Sequence, residues 1–192
     1  MFGIRLDKSS QLKKVLVIGN GESRCGIDLT QLKKQYVTFG CNAVHRDAVV
    51  DYLICYDKRT ADEAFSNPST QNTIIYRRDS LPPLPDNEQS STWGSGSYAV
   101  FLAAYLGYTD ISLLGFDLYP INDQINNIYK GSKNYESSKP VDPSYWVDNL
   151  SKIFQWYPTV EFTIINNKDW NFPKEWKYSN VKLLTLNTFQ VQ

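Results

Sequence analysis

Two short stretches of this sequence combine small and polar residues in patterns that can bind phosphate. The first is 19–23, where two glycines flank an asparagine directly after the apolar run 15–18. The second is 95–97, at the start of an apolar stretch with the length of a helix. Glycines let backbone amides approach an anion closely, and the first turn of a helix exposes amides that have no internal partner. The two stretches therefore predict the two halves of one nucleotide site.

Arg24 and Asn42 indicate which kind of nucleotide the first stretch fits. A dinucleotide fingerprint has a third glycine after the turn and an acidic residue at the end of the second strand. Here Arg24 stands where the third glycine should fall, and Asn42 stands where the acid should be. A Walker A loop is also absent, because no Gly-Lys-Ser/Thr follows. The pattern favours a mononucleotide, and the alternative for Asn42 is an asparagine held by its own turn.

The predicted nucleotide contacts come from both stretches and from the end of the second strand. They are Gly19, Asn20, Gly21, Ser23, Asn42, Ser95 and Gly96. Ser95 also has a purely structural interpretation, since Ser95 or Ser97 can cap the helix that begins there. In the functional interpretation, the amides at 95–97 and the helix dipole hold an anion.

Four further side chains are candidates for catalysis near the same edge of the sheet. Asp117, at a strand end, can act as a general base, hold a ribose hydroxyl or cap a turn. The phenols of Tyr119 and Tyr129 can donate to a departing phosphate without a metal, and ordinary loop tyrosines are the alternative. His45 is the single histidine of the chain. It is a candidate acid or base, and a surface histidine is the alternative.

Apolar runs and helical patterns alternate along the chain, which is typical of a parallel α/β sheet. The predicted strands are 15–18, 36–39, 52–56, 73–76, 111–115, 160–165 and 181–186. The predicted helices are 28–34, 57–65, 95–106 and 143–156. We expect a single α/β domain over 1–192, with a Rossmann-like, doubly wound and mainly parallel sheet. The long polar connection over about 120–143 is predicted to be a lid-like loop.

The composition limits the partners. Twenty Lys and Arg balance twenty Asp and Glu, so no net field attracts nucleic acid or an acidic membrane surface. Three cysteines without a CxxC pair and one histidine argue against a zinc site. An odd cysteine count after a polar lead-in over 1–12 predicts reduced thiols in the cytoplasm. No segment approaches the roughly 20 apolar residues of a membrane span.

Four motifs resemble those of bacterial sialyltransferases that modify lipooligosaccharide. They are Val-Ile-Gly-Asn-Gly-Glu-Ser (17–23), Phe-Gly-Cys-Asn (39–42), Gly-Ser-Gly-Ser-Tyr-Ala (94–99) and Leu-Gly-Tyr-Thr-Asp-Ile-Ser-Leu-Leu-Gly-Phe-Asp-Leu-Tyr (106–119). The resemblance implies a single Rossmann-like domain and a CMP-sugar donor, which is CMP-sialic acid in that family. It also implies a glycan acceptor and no requirement for a metal or other cofactor.

The resemblance also implies roles for individual residues. It implies that Asn20, Ser23 and Asn42 contact the nucleotide and that Ser95 and Gly96 contact its sugar or phosphate. It implies that Asp117 holds the ribose or orders the site, and that Tyr119 and Tyr129 stabilise the departing phosphate.

Two positions depart from the family pattern. Glu22 replaces a proline and puts a negative charge beside the expected phosphate. The proposed base of that family is a histidine beyond the Gly-x-Asp-x-Tyr motif, and no histidine follows His45 in this sequence. His45 and Asp117 are therefore the two candidates for the base.

The favoured function is transfer of a sugar from a nucleotide-activated donor, and two alternatives stay open. The glycine turn and the Ser-Gly-x-x-Ala helix start also resemble the 6-hydroxymethylpterin diphosphokinase-like family, which predicts pyrophosphoryl transfer with a metal. A nucleotide- or glycan-binding protein of the same fold without catalysis is the other alternative. The sequence leaves homo-oligomerisation open.

Overall fold

The computed structural model describes residues 14–137 and 139–190; the predicted polar lead-in over 1–12 lies outside these ranges. Its seven strands are β1 Val15–Ile18, β2 Val37–Cys41, β3 Tyr52–Cys55, β4 Ile74–Arg77, β5 Asp110–Leu114, β6 Glu161–Asn166 and β7 Val181–Thr185. They form one sheet in the order β4-β3-β2-β1-β5-β6-β7, and every neighbouring pair is parallel. The predicted Rossmann-like α/β class is confirmed, and each predicted strand is present with ends that differ by at most two residues.

In the described ranges five α-helices accompany the sheet: α1 Leu29–Leu32, α2 Lys58–Phe65, α3 Ser95–Tyr105, α4 Ser144–Trp156 and α5 Leu186–Gln190. The first four were predicted, and the Asp28 carboxylate caps α1 as expected by accepting from Thr30 N and Gln31 N. The sequence did not predict α5, whose five residues follow β7 without a break. Within the described ranges, no helix combines the length and apolar character that crossing a bilayer requires.

Side chains of β1 alternate between two hydrophobic cores, one on each face of the sheet. Val15 and Val17 pack in the core that also contains apolar residues of α3 and α4. Leu16 and Ile18 pack in the second core with residues of α1, α2 and α5. All four are fully buried, which is the reason why β1 is an uninterrupted apolar run. Helices on both faces make the sheet doubly wound.

Helix α3 crosses between the first four strands and the last three. Nine of its eleven residues are buried, as its nearly continuous apolar composition predicted. Gly107 ends it with φ +91°, the left-handed conformation expected at that position. The predicted serine cap is wrong. Gly94 occupies the N-cap position, and no side chain caps the helix.

The described part of the connection over 115–143 packs against the ends of β1 and β2 and against α2 through several hydrogen bonds. Ile128 N donates to Asn20 O at 2.9 Å. Arg46 donates to Ser132 Oγ at 2.8 Å, and Asn134 Nδ2 donates to Glu63 Oε2 at 2.8 Å. This loop therefore covers the edge of the sheet where the predicted site lies. A lid-like movement of the loop stays a prediction.

Candidate functional site

A cavity of about 320 Å³ lies at the carboxyl ends of β1, β2 and β5, beside the start of α3. The chain runs from β1 to β2 in one direction along the sheet, and β5 lies on the other side of β1. Ligands of open α/β sheets bind at such a switch point. Of the predicted site residues, the lining contains Gly19, Asn20, Gly21, Asn42, Ser95, Gly96 and Asp117. It does not contain Ser23, His45, Tyr119 or Tyr129.

The amides of the glycine turn do not point at the cavity as the sequence predicted. Gly19 N donates to Leu114 O and Gly21 N donates to Gly115 O, both at 2.8 Å. A Cβ at Gly19 would lie within 3.0 Å of Gly115 O, and one at Gly21 would overlap the Asp117 carboxyl group. The glycines are needed because the turn packs directly on the end of β5. The turn is thus part of the framework of the cavity.

Asp117 fastens this turn to two other strand ends. Its carboxylate accepts from Ser23 N at 2.7 Å, from the Ser23 hydroxyl, and from Asn166 Nδ2 at 3.3 Å. Burial raises the pKa of Asp117 above its usual value, and the hydrogen bonds from Ser23 and Asn166 oppose that shift. Asp117 lines the cavity, but its partners in the structure are protein groups. Contact with a ribose or action as a base stays a prediction.

Asn42 and Ser95 join the ends of β2 and β3 to the start of α3. Ser95 Oγ donates to Asn42 Oδ1 at 2.7 Å and accepts from Tyr56 N at 2.9 Å. Thr60 Oγ1 lies 3.3 Å from Asn42 Oδ1, but its single proton has a closer acceptor in Asp57 O at 2.9 Å. Asn42 has φ +50°, a left-handed conformation that asparagine tolerates. Because Oδ1 already accepts from Ser95, the Asn42 side-chain nitrogen is the group left to donate to a ligand.

The first turn of α3 provides the most open donors of the cavity. Residues 94–97 all line it, and the first backbone bond in this turn runs from Tyr98 N to Gly94 O at 3.0 Å. The amides of Ser95, Gly96 and Ser97 have no hydrogen-bond acceptor among the described residues, because no side chain caps the helix. The helix dipole adds a partial positive charge at the same place. This end of the cavity can bind an anion.

His45 lies behind Asn42 and outside the lining. Its Nδ1 is 2.9 Å from Asn42 O, and its Nε2 is 3.5 Å from Glu63 Oε1. The histidine is buried, and within the described residues Nε2 has no hydrogen-bond partner. It sits in a short 3-10 turn, Asn42–Arg46, that carries it away from the cavity. In this geometry His45 holds the Asn42 backbone through the contact of its Nδ1 with Asn42 O.

The two tyrosines predicted to stabilise a phosphate contact other protein groups. Tyr129 is buried; its hydroxyl donates to Asp47 Oδ2 at 2.5 Å and accepts from Arg24 at 2.8 Å. Burial raises the pKa of Tyr129. Tyr119 packs against Trp170, with ring centroids 6.2 Å apart. The sequence places both tyrosines in the loop but does not indicate which side of the loop faces the cavity.

Tyr135 is the phenol from the loop that lines the cavity, and sequence reasoning missed it. Asn20 Nδ2 donates to its hydroxyl at 3.5 Å, and burial raises the pKa of the phenol, which keeps it a proton donor. Tyr145 and Trp146 form an aromatic wall at the start of α4, opposite Gly94. These three residues carry no motif, so local sequence contains no signal that separates them from other loop aromatics.

Arg24 explains how the turn works without a third glycine. Its side chain is buried and folds back, so that Nε donates to Gly19 O at 2.7 Å. The same guanidinium pairs with Asp47 at 3.0 Å. The residue that breaks the dinucleotide fingerprint thus holds the turn in shape from behind. A charge at this position is paired and does not face the cavity.

Glu22→Pro is expected to lower the free energy of unfolding by about 1 kcal/mol more than Glu22→Gln does. Both changes break the ion pair with Lys130, whose Nζ lies 2.5 Å from Glu22 Oε1, and a half-exposed pair contributes little. Only proline also removes the amide that donates to Asn126 Oδ1 at 2.8 Å. Urea denaturation of the two variants measures the difference. Equal stabilities would show that the bond to Asn126 contributes nothing.

The fold and the cavity define an α/β protein of the Rossmann-like class with a candidate ligand site at its switch point. No protein-family model and no curated protein matches the sequence. The fold is similar to a solved structure, the MAf glycosyltransferase from Magnetospirillum magneticum AMB-1, with a TM-score of 0.56 and 15% sequence identity. The similarity covers 92% of this chain and 34% of the neighbour, so the chain spans about a third of that protein's length.

Proposed function

We propose that this protein is a metal-independent glycosyltransferase that uses a nucleotide-activated sugar, with a CMP-sugar favoured. The observation that carries the proposal is the uncapped start of α3, whose amides at 95–97 face a cavity at the switch point. A helix start of this kind can hold the phosphate of a donor and stabilise the charge that develops as the sugar leaves. The motifs that resemble sialyltransferases lie on this same cavity.

The size of the cavity supports a donor with one phosphate. Its volume of about 320 Å³ is at the lower end of the range for small-molecule sites. One helix start offers open amides, and the amides of the glycine turn at 19 and 21 are already bonded to the protein. The described lining has no second helix start with a set of open amides that could hold another phosphate in the same way. These features favour a mononucleotide such as the CMP part of a donor.

The aromatic wall and Tyr135 complete the scheme. Tyr145 and Trp146 can stack on a base or pack against a sugar ring. The phenol of Tyr135 lies on the cavity and can donate to a phosphate oxygen as negative charge accumulates there. It takes the role that the sequence assigned to Tyr119 and Tyr129. The fold similarity to a solved glycosyltransferase is consistent with this scheme.

A second candidate is a nucleotide- or glycan-binding protein of the same fold without catalysis. Asp117 is the single acidic side chain among the described residues of the lining, and its carboxylate is already bonded to Ser23 and Asn166. The other predicted base, His45, does not reach the lining. An acceptor hydroxyl would then need water or a group of the acceptor itself to take its proton. That observation is what favours binding alone.

Calorimetric titration with CMP, UDP and ATP, with and without magnesium, separates these functions. The proposal expects CMP to bind without metal, and a CMP-sugar to be turned over with release of CMP. Binding of CMP with no turnover across a panel of glycan acceptors would support the non-catalytic protein. Strict dependence on ATP and magnesium would overturn the proposal in favour of pyrophosphoryl transfer.

Tyr135→Phe is expected to lower the kcat of sugar transfer about tenfold, because it removes one neutral hydrogen-bond donor from the departing phosphate. Tyr119→Phe is the matched control, since its ring packs on Trp170 outside the lining. Steady-state kinetics with a CMP-sugar measures both variants. A loss of kcat in Tyr119→Phe with none in Tyr135→Phe would return the role to the residue that the sequence indicated.

A further inference from the structure

The described lining of the cavity has many neutral donors and no cation. It contains the side-chain amides of Asn20, Asn42, Asn126 and Asn127, and no Lys or Arg. Its one charged side chain is the carboxyl group of Asp117. The nearby guanidinium of Arg24 is turned toward Gly19 O and Asp47. An anion in this cavity would be held by dipoles and hydrogen bonds alone.

Two buried polar side chains beside the start of α3 point to a ligand independently of the helix. Ser97 is 2% exposed and lines the cavity, and its hydroxyl has no hydrogen-bond partner among the described residues. Asn127 is 8% exposed and also lines it; its Oδ1 accepts from Tyr129 N at 2.9 Å, which leaves its Nδ2 to donate. Among the described residues, the fully buried side-chain atoms without a partner are His45 Nε2 and Trp93 Nε1. Ser97 Oγ and Asn127 Nδ2 are therefore open to the cavity that they line, where both can bond to a bound acceptor.

The affinity of a site made of neutral donors depends on the charge of the anion that it binds. The cost of moving an ion out of water rises with the square of its charge, as follows from the Born model of ion solvation. The attraction of fixed dipoles to the ion rises only in proportion to its charge. For a second negative charge, the added desolvation free energy therefore exceeds the added attraction to the neutral donors. It would also approach the carboxyl group of Asp117.

We infer that this cavity selects a phosphodiester with a single negative charge over phosphate groups that carry two or more. The inference rests on the proposed function for its biological meaning, because the phosphate of a CMP-sugar is such a diester. During transfer the bond between the anomeric carbon and the phosphate oxygen breaks, and the oxygen keeps the electron pair. The carbon bonds to the acceptor oxygen, whose proton passes to water. The product is a monoester with a second pKa of about 6, so it is mostly doubly charged at neutral pH.

This selectivity would favour release of the product. The donor enters with one charge, and the departing nucleotide leaves with two, so the cavity would bind the substrate better than the product. A site built from lysines would have the opposite preference and would hold the product more tightly. The absence of Lys and Arg from the described lining thus has a consequence for turnover as well as for affinity.

The experiment is an NMR titration of backbone amides 95–97 with three small probes at pH 8. The inference expects dimethyl phosphate, with one charge, to bind about tenfold more tightly than methyl phosphate, which is a factor equivalent to 1.4 kcal/mol. Pyrophosphate should bind most weakly. At pH 5, below its second pKa of about 6, methyl phosphate should gain affinity relative to dimethyl phosphate, a comparison that separates the probe's own charge from any change at Asp117, which acts on both probes. Tightest binding of pyrophosphate at pH 8, or no shift of these amides with any probe, would overturn the inference.

Ser97→Ala supplies the matched test of the site. It should weaken the binding of dimethyl phosphate about fivefold through loss of one hydrogen bond. Ser151→Ala is the control, because Ser151 is a buried helical serine in α4 whose hydroxyl bonds Tyr178 at 2.8 Å. Equal weakening in both variants, or none in Ser97→Ala, would contradict the assignment of Ser97.

The probes contain no base or sugar, so this result is independent of the proposed function. Preference for pyrophosphate together with turnover of a CMP-sugar would reject the charge selectivity and keep the transferase. Preference for dimethyl phosphate without CMP binding would keep the selectivity and reject the nucleotide donor.

Discussion

Gly19→Ala should lower the free energy of unfolding by about 3 kcal/mol, because overpacking of a rigid site carries a cost of this order. The added Cβ would lie within 3.0 Å of the carbonyl oxygen of Gly115. That oxygen belongs to the backbone and cannot rotate away as a side chain would. The Gly19 amide is also fixed by its bond to Leu114 O at 2.8 Å, so the two strand ends must separate. Urea denaturation measures the change directly.

Gly96→Ala is the matched control from the other side of the cavity. Its new Cβ would meet Phe116 at 3.4 Å, an ordinary van der Waals distance, and alanine favours a helix over glycine by about 1 kcal/mol. Stability should stay equal or rise, while ligand binding at the start of α3 weakens. If Gly19→Ala is as stable as the wild type, the close approach of β1 and β5 is not rigid. The glycine turn would then not be a framework of the cavity.

The sequence predicted the fold well because the relevant signals are local. β-Branched runs such as 15–18 and the apolar stretch of α3 indicate both the type of element and its burial. Helix α5 was missed because its five residues continue directly from β7 and offer no cap or period. The predicted serine cap of α3 failed for a related reason. Ser95 has partners from β2 and β3, which no local pattern contains.

The candidate site was predicted only in part, since its details depend on contacts between distant segments. The predicted strand ends correctly indicated residues that meet at the cavity; Asn42, which follows β2, is one of them. The sequence could not predict the direction in which a backbone amide points. Gly19 and Gly21 have the pattern of a phosphate loop, and their close approach is to β5. Tyr135 and Tyr129 lie six positions apart in one loop, and only packing decides which of them faces the cavity.

These corrections assign separate tasks to the two stretches that first indicated a nucleotide site. The turn at 19–23 is framework, since its amides at Gly19, Gly21 and Ser23 bond to β5 and Asp117. The start of α3 presents the open amides. Mutations in the turn should therefore act mainly on stability, and mutations at 96 and 97 mainly on ligand binding. Asp117 belongs to both parts, because it holds the turn through Ser23 and also lines the cavity.

Asp117→Ala should lower the free energy of unfolding by about 3 kcal/mol, since it leaves the Ser23 amide, the Ser23 hydroxyl and Asn166 without their acceptor. Asp117→Asn keeps the shape and one acceptor oxygen, so its loss should be smaller. Urea denaturation at pH 7 compares the two variants. Equal losses would show that the shape of the side chain contributes nothing and that both carboxylate oxygens are needed to hold the turn.

The stability difference between wild type and Asp117→Asn should also depend on pH. Burial raises the pKa of Asp117 in the folded protein above the usual 3.8. Well below pH 3.8 the carboxyl group is protonated in both states, and its ionisation has no effect on stability. As the pH rises toward the folded pKa, the unfolded chain loses the proton first, so wild type loses stability relative to Asp117→Asn. A difference that instead grows in favour of wild type with rising pH would mean that the bonds from Ser23 outweigh burial. Asp117 would then be held as a carboxylate, which would restore it as a candidate base.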